Sequence, residues 1–423
     1  MPQQTSIDVT SIGGGMIMHD QILPSLLHLQ RIGEVGRIQV CATSSARIRD
    51  LYNERFEQAF PGHTFEAYPD RSEDPSKRFG DLYKEVIPKM APRQLVVVAT
   101  PDHLHYEQVR YALEHDQHVL CVKPLVLKHE HAEELAALAH ERGLFLGVEY
   151  HKRFDRRNLE ARQRYRAGEF GEFRIGEAKL LEPWSYRHSN FQNWFTCDNT
   201  DPFTYIGCHY VDLVTFITGL RPTGVALRGV KGKFPNGNEA YMWSHAHVEF
   251  ENGATLGVLN GLGYPDKGAG TNDQAMTLYG EGTGAHSDCG TILKHNDQFR
   301  SVSHGYVDDE AHPVPFRFIN PDYMRLIPYD GDGLKPVGYG YESIEANVRA
   351  AINVNAACAD SPETEALPRR QSALDAIDSR GIIATAANSR VNELVMEAGR
   401  LSITNGSRFV RIHHDASPRV ELT

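Results

Sequence analysis

Lys123 and Thr100 stand where a reacting group is useful. Lys123 follows the apolar run His118 to Val122 and precedes Pro124, while Thr100 follows the apolar run Leu95 to Ala99. Runs this short and this rich in Val sit inside a parallel sheet, covered on both faces. Ligands gather at the carboxyl ends of such strands. A lysine there reaches the ligand crevice, where its ammonium group can donate to a reacting oxygen and steady the negative charge that develops on it. Pro124 fixes the chain direction and bars a helix from starting at Lys123. A second set is Tyr205, His209 and Asp212, spaced i, i+4 and i+7 in YIGCHYVD. In a helical turn they share one face. Tyr210, Leu213, Val214 and Ile217 recur at helical spacing, so a helix starts about here and ends at Gly219. A histidine, with an ordinary pKa near ~6.5, is the natural base for an alcohol proton.

A third pattern is a phosphate site. Ile7 to Ile12 reads as a strand, Gly13-Gly14-Gly15 as a turn, and the stretch opening with Met16 and Ile17 as a helix. Glycines let the backbone approach a pyrophosphate, and the helix start supplies N–H groups and positive potential. G-x-G-x-x-G is partly met: Gly13 and Gly15 fit, and Met18 holds the third glycine position. The second strand, Gly36 to Thr43, has no carboxylate after it to hold the ribose hydroxyls of NAD. Thr43, Ser44, Ser45 and Arg47 stand there instead. They can hold a 2′-phosphate, which leans the expectation from NAD toward NADP, or they can cap the next helix, Ala46 to Phe56.

These residues need a frame. Further strands at Thr64 to Ala67 and Gly143 to Tyr150, with helices at Asp81 to Met90, around Val109, Ala112 and Leu113, and at His131 to Arg142, complete six strand signals alternating with helices. That is the doubly wound α/β pattern, a Rossmann domain over residues 1–150. Residues 151–423 read as an α+β domain for substrate binding and oligomerisation. Its first strand is expected at 172–182, and strand patterns from Gly224 onward make a large, mostly antiparallel open sheet. Glu251-Asn252-Gly253 marks a hairpin. Trp184, Phe191, Trp194 and Phe195 lie in a polar loop, where they suit stacking on a sugar ring, a subunit contact or a lid. His245, His247 and Glu249 share a strand face, but a face packed against another subunit accounts for them better than a metal. Residues 298–340 read as an irregular connection. Helical patterns cover Tyr341 to Ala357 and Gln371 to Leu401, and a short strand covers Phe409 to His413.

The segments Thr100-Pro101-Asp102-His103-Leu104-His105 and Val122-Lys123-Pro124 resemble those of the glucose-fructose oxidoreductase / inositol dehydrogenase / rhizopine-catabolism (Gfo/Idh/MocA) family. Members carry T-P-x-x-x-H, then E-K-P with a catalytic lysine. The resemblance implies that Thr100, Pro101, His105 and Lys123 lie by the cofactor. Val122 stands where the family has Glu. Tyr205 to Asp212 resembles the family's D-x-G-x-H-x-x-D, whose first Asp and His act with the lysine. Gly207, His209 and Asp212 match, while Tyr205 replaces the Asp, and a phenol is a far weaker base than a carboxylate. His151-Lys152-Arg153-Phe154-Asp155 resembles the segment after the sixth strand. That implies His151 and Arg153 as substrate contacts, with a solvated basic cluster as the competing reading. Trp194 and Asp212 join them as expected substrate contacts. The likeness is specific over 1–220 and looser beyond.

The implied activity is NAD(P)-dependent oxidation or reduction of a secondary alcohol of a sugar, glycoside or cyclitol, with Lys123, His209 and Tyr205 carrying the chemistry and no metal. Two alternatives stay open: redox-neutral glycoside processing through a keto-sugar with tightly bound NAD, and a non-catalytic sugar or nucleotide sensor. The chain has 423 residues, 41% hydrophobic and 23% charged, with a net charge of −11 and no basic block. That balance argues against nucleic-acid or anionic-membrane partners. The start lacks a signal-peptide layout and no apolar run is long enough to span a bilayer. Six scattered cysteines fit a reducing cytoplasm. A homodimer or homotetramer is expected, because the open sheet needs a cover.

Overall fold

The computed structural model describes residues 6–268, 272–283, 290–297, 323–359 and 361–423. It divides into two compact units. The first comprises Met1–Val126, Glu130–Phe154 and Met324–Arg390; the second comprises Leu127–His129, Asp155–Tyr323 and Val391–Thr423. The first unit therefore draws on a late stretch, Met324–Arg390, as well as on most of the first 154 residues.

Strands β1 (Ile7–Ile12), β2 (Val35–Cys41), β3 (Glu66–Tyr68), β4 (Leu95–Val98), β5 (His118–Val122) and β6 (Leu146–Glu149) form the first sheet in the order β3-β2-β1-β4-β5-β6, with every pairing parallel. This is the doubly wound order, whose direction reverses between β1 and β4 and opens a crevice at their carboxyl ends. Every residue of β4, β5 and β6 is buried, as the continuous Val-rich runs require. The expected helix over 46–56 is two helices, Ser45–Leu51 and Glu54–Ala59. Asn53 divides them: its side chain accepts from the Phe56 N–H at 3.1 Å and starts the second. The helix expected over 81–90 is one short turn, Tyr83–Val86, followed by a 3-10 turn at Ile87–Lys89 that contains Pro88.

The late stretch contributes a hairpin, the helix Tyr339–Ala356 and the helix Glu363–Arg380. Part of the expected irregular connection over 298–340 lies outside the described residues. Its described end is the hairpin β13 (Arg325–Pro328) with β14 (Leu334–Val337). Arg31 holds that hairpin: it donates to the carbonyls of Asp332 and Leu334, and its guanidinium lies 4.3 Å from the Tyr329 ring centroid. Gly147 lets the long helix close on β6, since a Cβ there would fall 2.2 Å from Asn347 Oδ1. The expected helix over 371–401 is interrupted: Gly381, at φ +59°, ends Glu363–Arg380, and a short turn, Ala386–Ser389, comes before Val391–Thr404.

In the second unit, β7 (Phe173–Pro183), β8 (Pro222–Lys233), β9 (Glu239–Phe250), β10 (Thr255–Tyr264), β11 (Asp273–Gly280), β12 (Thr291–Asn296), β15 (Val410–His413) and β16 (Arg419–Leu422) form an eight-stranded sheet in the order β12-β11-β7-β10-β9-β8-β15-β16. Only β7 and β10 run parallel among the adjacent pairs. β9 and β10 form the expected hairpin, with Gly253 at φ +81° in the turn. Strand β16 was not marked by the sequence pattern. Burial alternates along the strands. One face packs on Val391–Thr404 within the unit, where Ser402 Oγ accepts from the Leu227 N–H at 2.9 Å. On the other face Ile175, Val230, Leu259 and Tyr279 are exposed. Among the described residues no helix is long and apolar enough to cross a membrane.

Candidate active site

The glycine turn is built as a cradle. Gly13 has φ +121°, and a Cβ there would lie 2.1 Å from the Ala99 carbonyl oxygen. Only glycine lets the ends of β1 and β4 close in this way. Gly15 and Met16 are exposed, and open space lies where a Cβ of Gly15 would be. The helix opens at Met16 and Ile17, so its first N–H groups lie at the crevice mouth. These residues fit the pyrophosphate of a dinucleotide. Arg47 lies against the turn, its Cβ 3.2 Å from the place a Gly14 Cβ would take. Of the group after β2, Thr43 is exposed, Ser44 is buried as the residue before Ser45–Leu51, and Ser45 Oγ donates to the Glu73 carbonyl at 2.7 Å. Arg47 Nη1 stands 3.7 Å from Asp50 Oδ2.

The ends of β4 and β5 are tied together from behind. The buried ring of His105 lies with Nδ1 2.8 Å from the Pro124 carbonyl and Nε2 2.8 Å from the Thr100 carbonyl. Thr100 Oγ1 donates to Gln108 Oε1 at 2.6 Å. His105 thus sets the geometry of Thr100, Pro101 and Lys123-Pro124. Lys123 is half-buried at the carboxyl end of β5.

The next strand end holds a carboxylate that the sequence reading passed over. Val122 pairs in register with Glu149, so an acidic side chain stands level with the lysine's strand end, one strand across. Glu149 is 2% exposed. Its Oε1 accepts from Gln21 Nε2 at 2.8 Å, and its Oε2 lies 2.8 Å from His151 Nδ1. Gln21 Nε2 also donates to the Gly340 carbonyl at 2.9 Å. The His151 ring stacks on Tyr339, centroids 5.7 Å apart. His151, Lys152 and Arg153 are all buried, in a single 3-10 turn, so they are not a solvated basic cluster. Arg153 Nη1 donates to Asn388 Oδ1 at 3.0 Å.

In the second unit the chain enters Tyr205 to Asp212 through a buried anchor. Asp201 Oδ1 accepts from the N–H groups of Phe203 and Thr204, and its Oδ2 accepts from Thr204 Oγ1 and from Arg400 Nη1, the last at 3.3 Å. A π turn, Phe203–Gly207, then leads into the helix Cys208–Thr218, which Gly219 ends at φ +80°. The turn is wider than an α-helical one; Tyr205 lies within it, and His209 lies in the first turn of the helix that follows. Gly207 is required where it stands: a Cβ would fall 2.6 Å from Asn260 Oδ1 and 2.5 Å from the Phe203 ring. The half-buried Tyr205 ring meets Phe191, Trp194 and Phe195 edge-on at 5.3–5.7 Å between centroids. Phe191, Trp194 and Phe195 therefore pack on one another and on Tyr205, while Trp184 is exposed and lies under the Arg187 guanidinium. His209 and Asp212 are buried on the helix.

A doubly wound sheet with a glycine cradle at its switch point, joined to a unit built on a large mixed sheet, is the architecture of a dinucleotide-binding protein. Residues 7–150 match the model of the oxidoreductase family with an NAD-binding Rossmann fold, and residues 158–285 match the C-terminal domain of the same Gfo/Idh/MocA group. The chain belongs to the Gfo/Idh/MocA family of oxidoreductases. It is similar to D-glucoside 3-dehydrogenase of Escherichia coli (strain K12), 29% identical over 130 residues, which are 30% of this chain and 36% of that protein. It is also similar to the scyllo-inositol 2-dehydrogenase (NADP(+)) IolW of Bacillus subtilis (strain 168), 26% identical over 129 residues, 30% of this chain and 35% of that protein. The matched part thus spans about a third of the length of these curated relatives. Among solved structures, GenD2 from gentamicin A biosynthesis, in complex with NAD, aligns with a TM-score of 0.64 at 17% identity over 98% of each chain. The myo-inositol 2-dehydrogenase of Lactobacillus plantarum aligns with a TM-score of 0.62 at 16% identity, over 96% of this chain and 100% of that one. These likenesses carry the fold.

Proposed function

We propose that the protein oxidises or reduces a secondary alcohol of a sugar, glycoside or cyclitol with NAD or NADP. The observation that carries this reading is the Gly13 cradle at the switch point, with Lys123 at the end of a neighbouring strand. A bound nicotinamide supplies the hydride acceptor or donor; the chain's own residues do the rest. Lys123 donates a hydrogen bond to the reacting oxygen and steadies its developing charge. His209 takes the hydroxyl proton. Tyr205 holds a substrate hydroxyl or orients His209, and its loss is the least costly of the three. His151, Arg153, Trp194 and Asp212 are the substrate contacts. Gly13, Gly15, Met16, Ile17, Thr43, Ser44, Ser45, Arg47, Thr100 and Pro101 form the cofactor side, with His105 holding its frame. The leaning to NADP rests on exposed Thr43 and half-buried Arg47.

The same reading includes a homodimer or homotetramer covering the exposed face of the second sheet, and a reducing cytoplasmic setting in keeping with the scattered cysteines. Light scattering at the monomer mass of 47.4 kDa would overturn the oligomer.

The direct test is a cofactor-reduction screen over sugars, cyclitols and glycosides. Turnover is expected, with Lys123→Ala and His209→Ala each lowering kcat at least ~100-fold while thermal stability stays near that of the parent. Tyr205→Phe should cost less than either. Full turnover by His209→Ala between pH 6 and 9 would move the base to another group. No cofactor reduction by any of these alcohols would sink the reading.

A further inference from the structure

The connection that follows β3 has no role above, yet it is tied to the end of β2. Ala42 N–H donates to the Tyr68 carbonyl at 2.7 Å, and Phe79 N–H donates to the Thr43 carbonyl at 3.0 Å. Between these two ties, Ser45 Oγ donates to the Glu73 carbonyl at 2.7 Å. Arg49 adds two more bonds, from Nε to the Arg71 carbonyl at 2.8 Å and from Nη2 to the Glu73 carbonyl at 2.9 Å. Two Asp-x-Ser turns shape the loop from within. Asp70 Oδ1 accepts the Ser72 N–H and Asp74 Oδ1 accepts the Ser76 N–H, each at 2.8 Å. Residues 69–79 thus form a wall beside Thr43.

The end of the second strand is where a Rossmann domain meets the adenosine ribose of its dinucleotide, and a carboxylate or an arginine there tells NAD from NADP. The bonds above thin the group that stands at this place. The Ser45 hydroxyl proton is spent on Glu73, and Ser44 is 1% exposed. Thr43 and Arg47 remain. A phosphate monoester carries more than one negative charge near neutrality, so a single guanidinium leaves part of it unmatched. The wall holds three further cations, Arg71, Lys77 and Arg78. Arg71 is engaged on the Tyr52 ring, 5.1 Å from its centroid. Lys77 Nζ lies 3.5 Å from Glu73 Oε2 and 4.6 Å from the Phe79 ring centroid. Arg78 is exposed and has no ion pair or ring contact among the described residues. The peptide that joins it to Phe79 is the one whose N–H meets Thr43, so its backbone lies at the strand end itself.

We propose that Arg78 is a specificity-determining residue that acts with Arg47 at the end of β2 to hold the 2′-phosphate of NADP. This rests on the dinucleotide reading and sharpens its leaning. The two cations come from different elements: Arg47 from the helix Ser45–Leu51 that follows β2, and Arg78 from the wall that follows β3. A guanidinium offers a planar fork of donors that matches phosphate oxygens. NAD, with a bare 2′-hydroxyl, gains little from that fork. Arg78 therefore acts on the choice between the two cofactors, while the Gly13 cradle holds either.

Calorimetric titration of the full-length protein with adenosine 2′,5′-bisphosphate and with 5′-AMP isolates the 2′-phosphate and needs no turnover. The parent should bind the bisphosphate at least ~10-fold more tightly than 5′-AMP. Arg78→Ala should weaken the bisphosphate at least ~10-fold and leave 5′-AMP within about twofold. Arg78→Lys, which keeps the charge and loses the fork, should fall between. Arg71→Ala removes an equal charge from the same wall and should leave both ligands within about twofold. Unchanged affinity for the bisphosphate in Arg78→Ala overturns the proposal. So does an equal loss in Arg71→Ala, which would trace the effect to the general field of the loop. An equal loss of both ligands in Arg78→Ala, with a lowered unfolding midpoint, overturns it too and makes Arg78 a support of the wall. If the parent binds both ligands equally, the NADP leaning and the role of Arg78 fall together and the dinucleotide reading stands. If it binds neither of them, nor NAD, nor NADP, the dinucleotide reading itself fails and Arg78 loses its role with it.

Discussion

Each unit holds a set of buried titratable groups, and the two sets behave in opposite ways. In the first unit the set is a pair of histidines, His118 and His28, whose pKa values are lowered. His118, on β5, has no exposed surface; it accepts the Phe145 N–H on Nδ1 at 2.9 Å and lies 3.1 Å from Asn355 Oδ1 through Nε2. Burial is the main cause that lowers its pKa to about 4, with Arg93 and Arg370 adding to it against the Asn355 bond. His28 is also lowered to about 4, first by burial and then by the neighbouring Arg31. The second unit buries charges and pairs them. Arg157 lies between Asp155 and Asp297, donating to Oδ2 of the first at 2.5 Å and to Oδ1 of the second at 2.7 Å. Burial works against both carboxylates, yet their bonds to Arg157, and for Asp297 to His295 as well, hold their pKa values below the usual range.

The difference teaches where acid should strike each unit. A histidine depressed in the folded state leaves the unfolded chain to take the proton first. Its contribution is complete above about 6.5 and is lost as pH falls toward 4. A depressed carboxylate contributes fully above its unfolded pKa near ~3.9 and loses that contribution only as pH falls below it. Acid unfolding should therefore weaken the first unit in the window from 6.5 to 4, and the second below about 4.

Four substitutions break or sharpen this contrast. Arg157→Ala has the largest expected effect, since it takes the shared guanidinium from two buried carboxylates: a loss of about 3–5 kcal/mol by chemical denaturation, with cofactor binding by the first unit unchanged. A loss under about 1 kcal/mol would mean the second unit does not depend on its paired charges. Gly13→Ala comes next. It forces a side chain into φ +121° and onto the Ala99 carbonyl. The strain, about 1–3 kcal/mol, should fall on the first unit and lower dinucleotide affinity more than tenfold by titration. Arg47→Ala should weaken NADP binding about tenfold, or about 1.4 kcal/mol, and leave NAD unaffected. Tighter binding of NAD than NADP by the parent, unaltered by the change, would end the NADP leaning. The finest effect is one of slope: His118→Gln should flatten the stability curve between pH 6.5 and 4 and leave the stage below 4 alone. Thermal melts at half-unit pH steps would show it, and an unchanged slope would take His118 out of the account.

Some of this could be read directly from the chain. Leu95 to Val98 and His118 to Val122 are recognisable because a strand covered on both faces needs an unbroken apolar run. Gly13 was legible from its place, at the end of the first strand and ahead of a helix, since a glycine triplet alone is more often a plain loop. The start of the helix at Cys208 and its end at Gly219 followed from period and cap. The π turn ahead of it did not, since an extra residue in a turn leaves no periodic mark. Glu149 was hidden for another reason. In a buried strand a carboxylate looks like an interruption, and its partner Gln21 lies 128 residues away.

The sequence by itself determined the alternation of strands and helices, the glycine cradle and the residue types at the strand ends, because these depend on neighbours a few positions apart. Only the tertiary structure decided that residues 324–390 join the first unit, that His105 works from behind the strand ends, and that Gln21, Glu149 and His151 form one buried chain of hydrogen bonds. Those outcomes depend on which distant groups are desolvated together. A buried polar atom must find its partner wherever the fold brings one, and no local pattern records the choice.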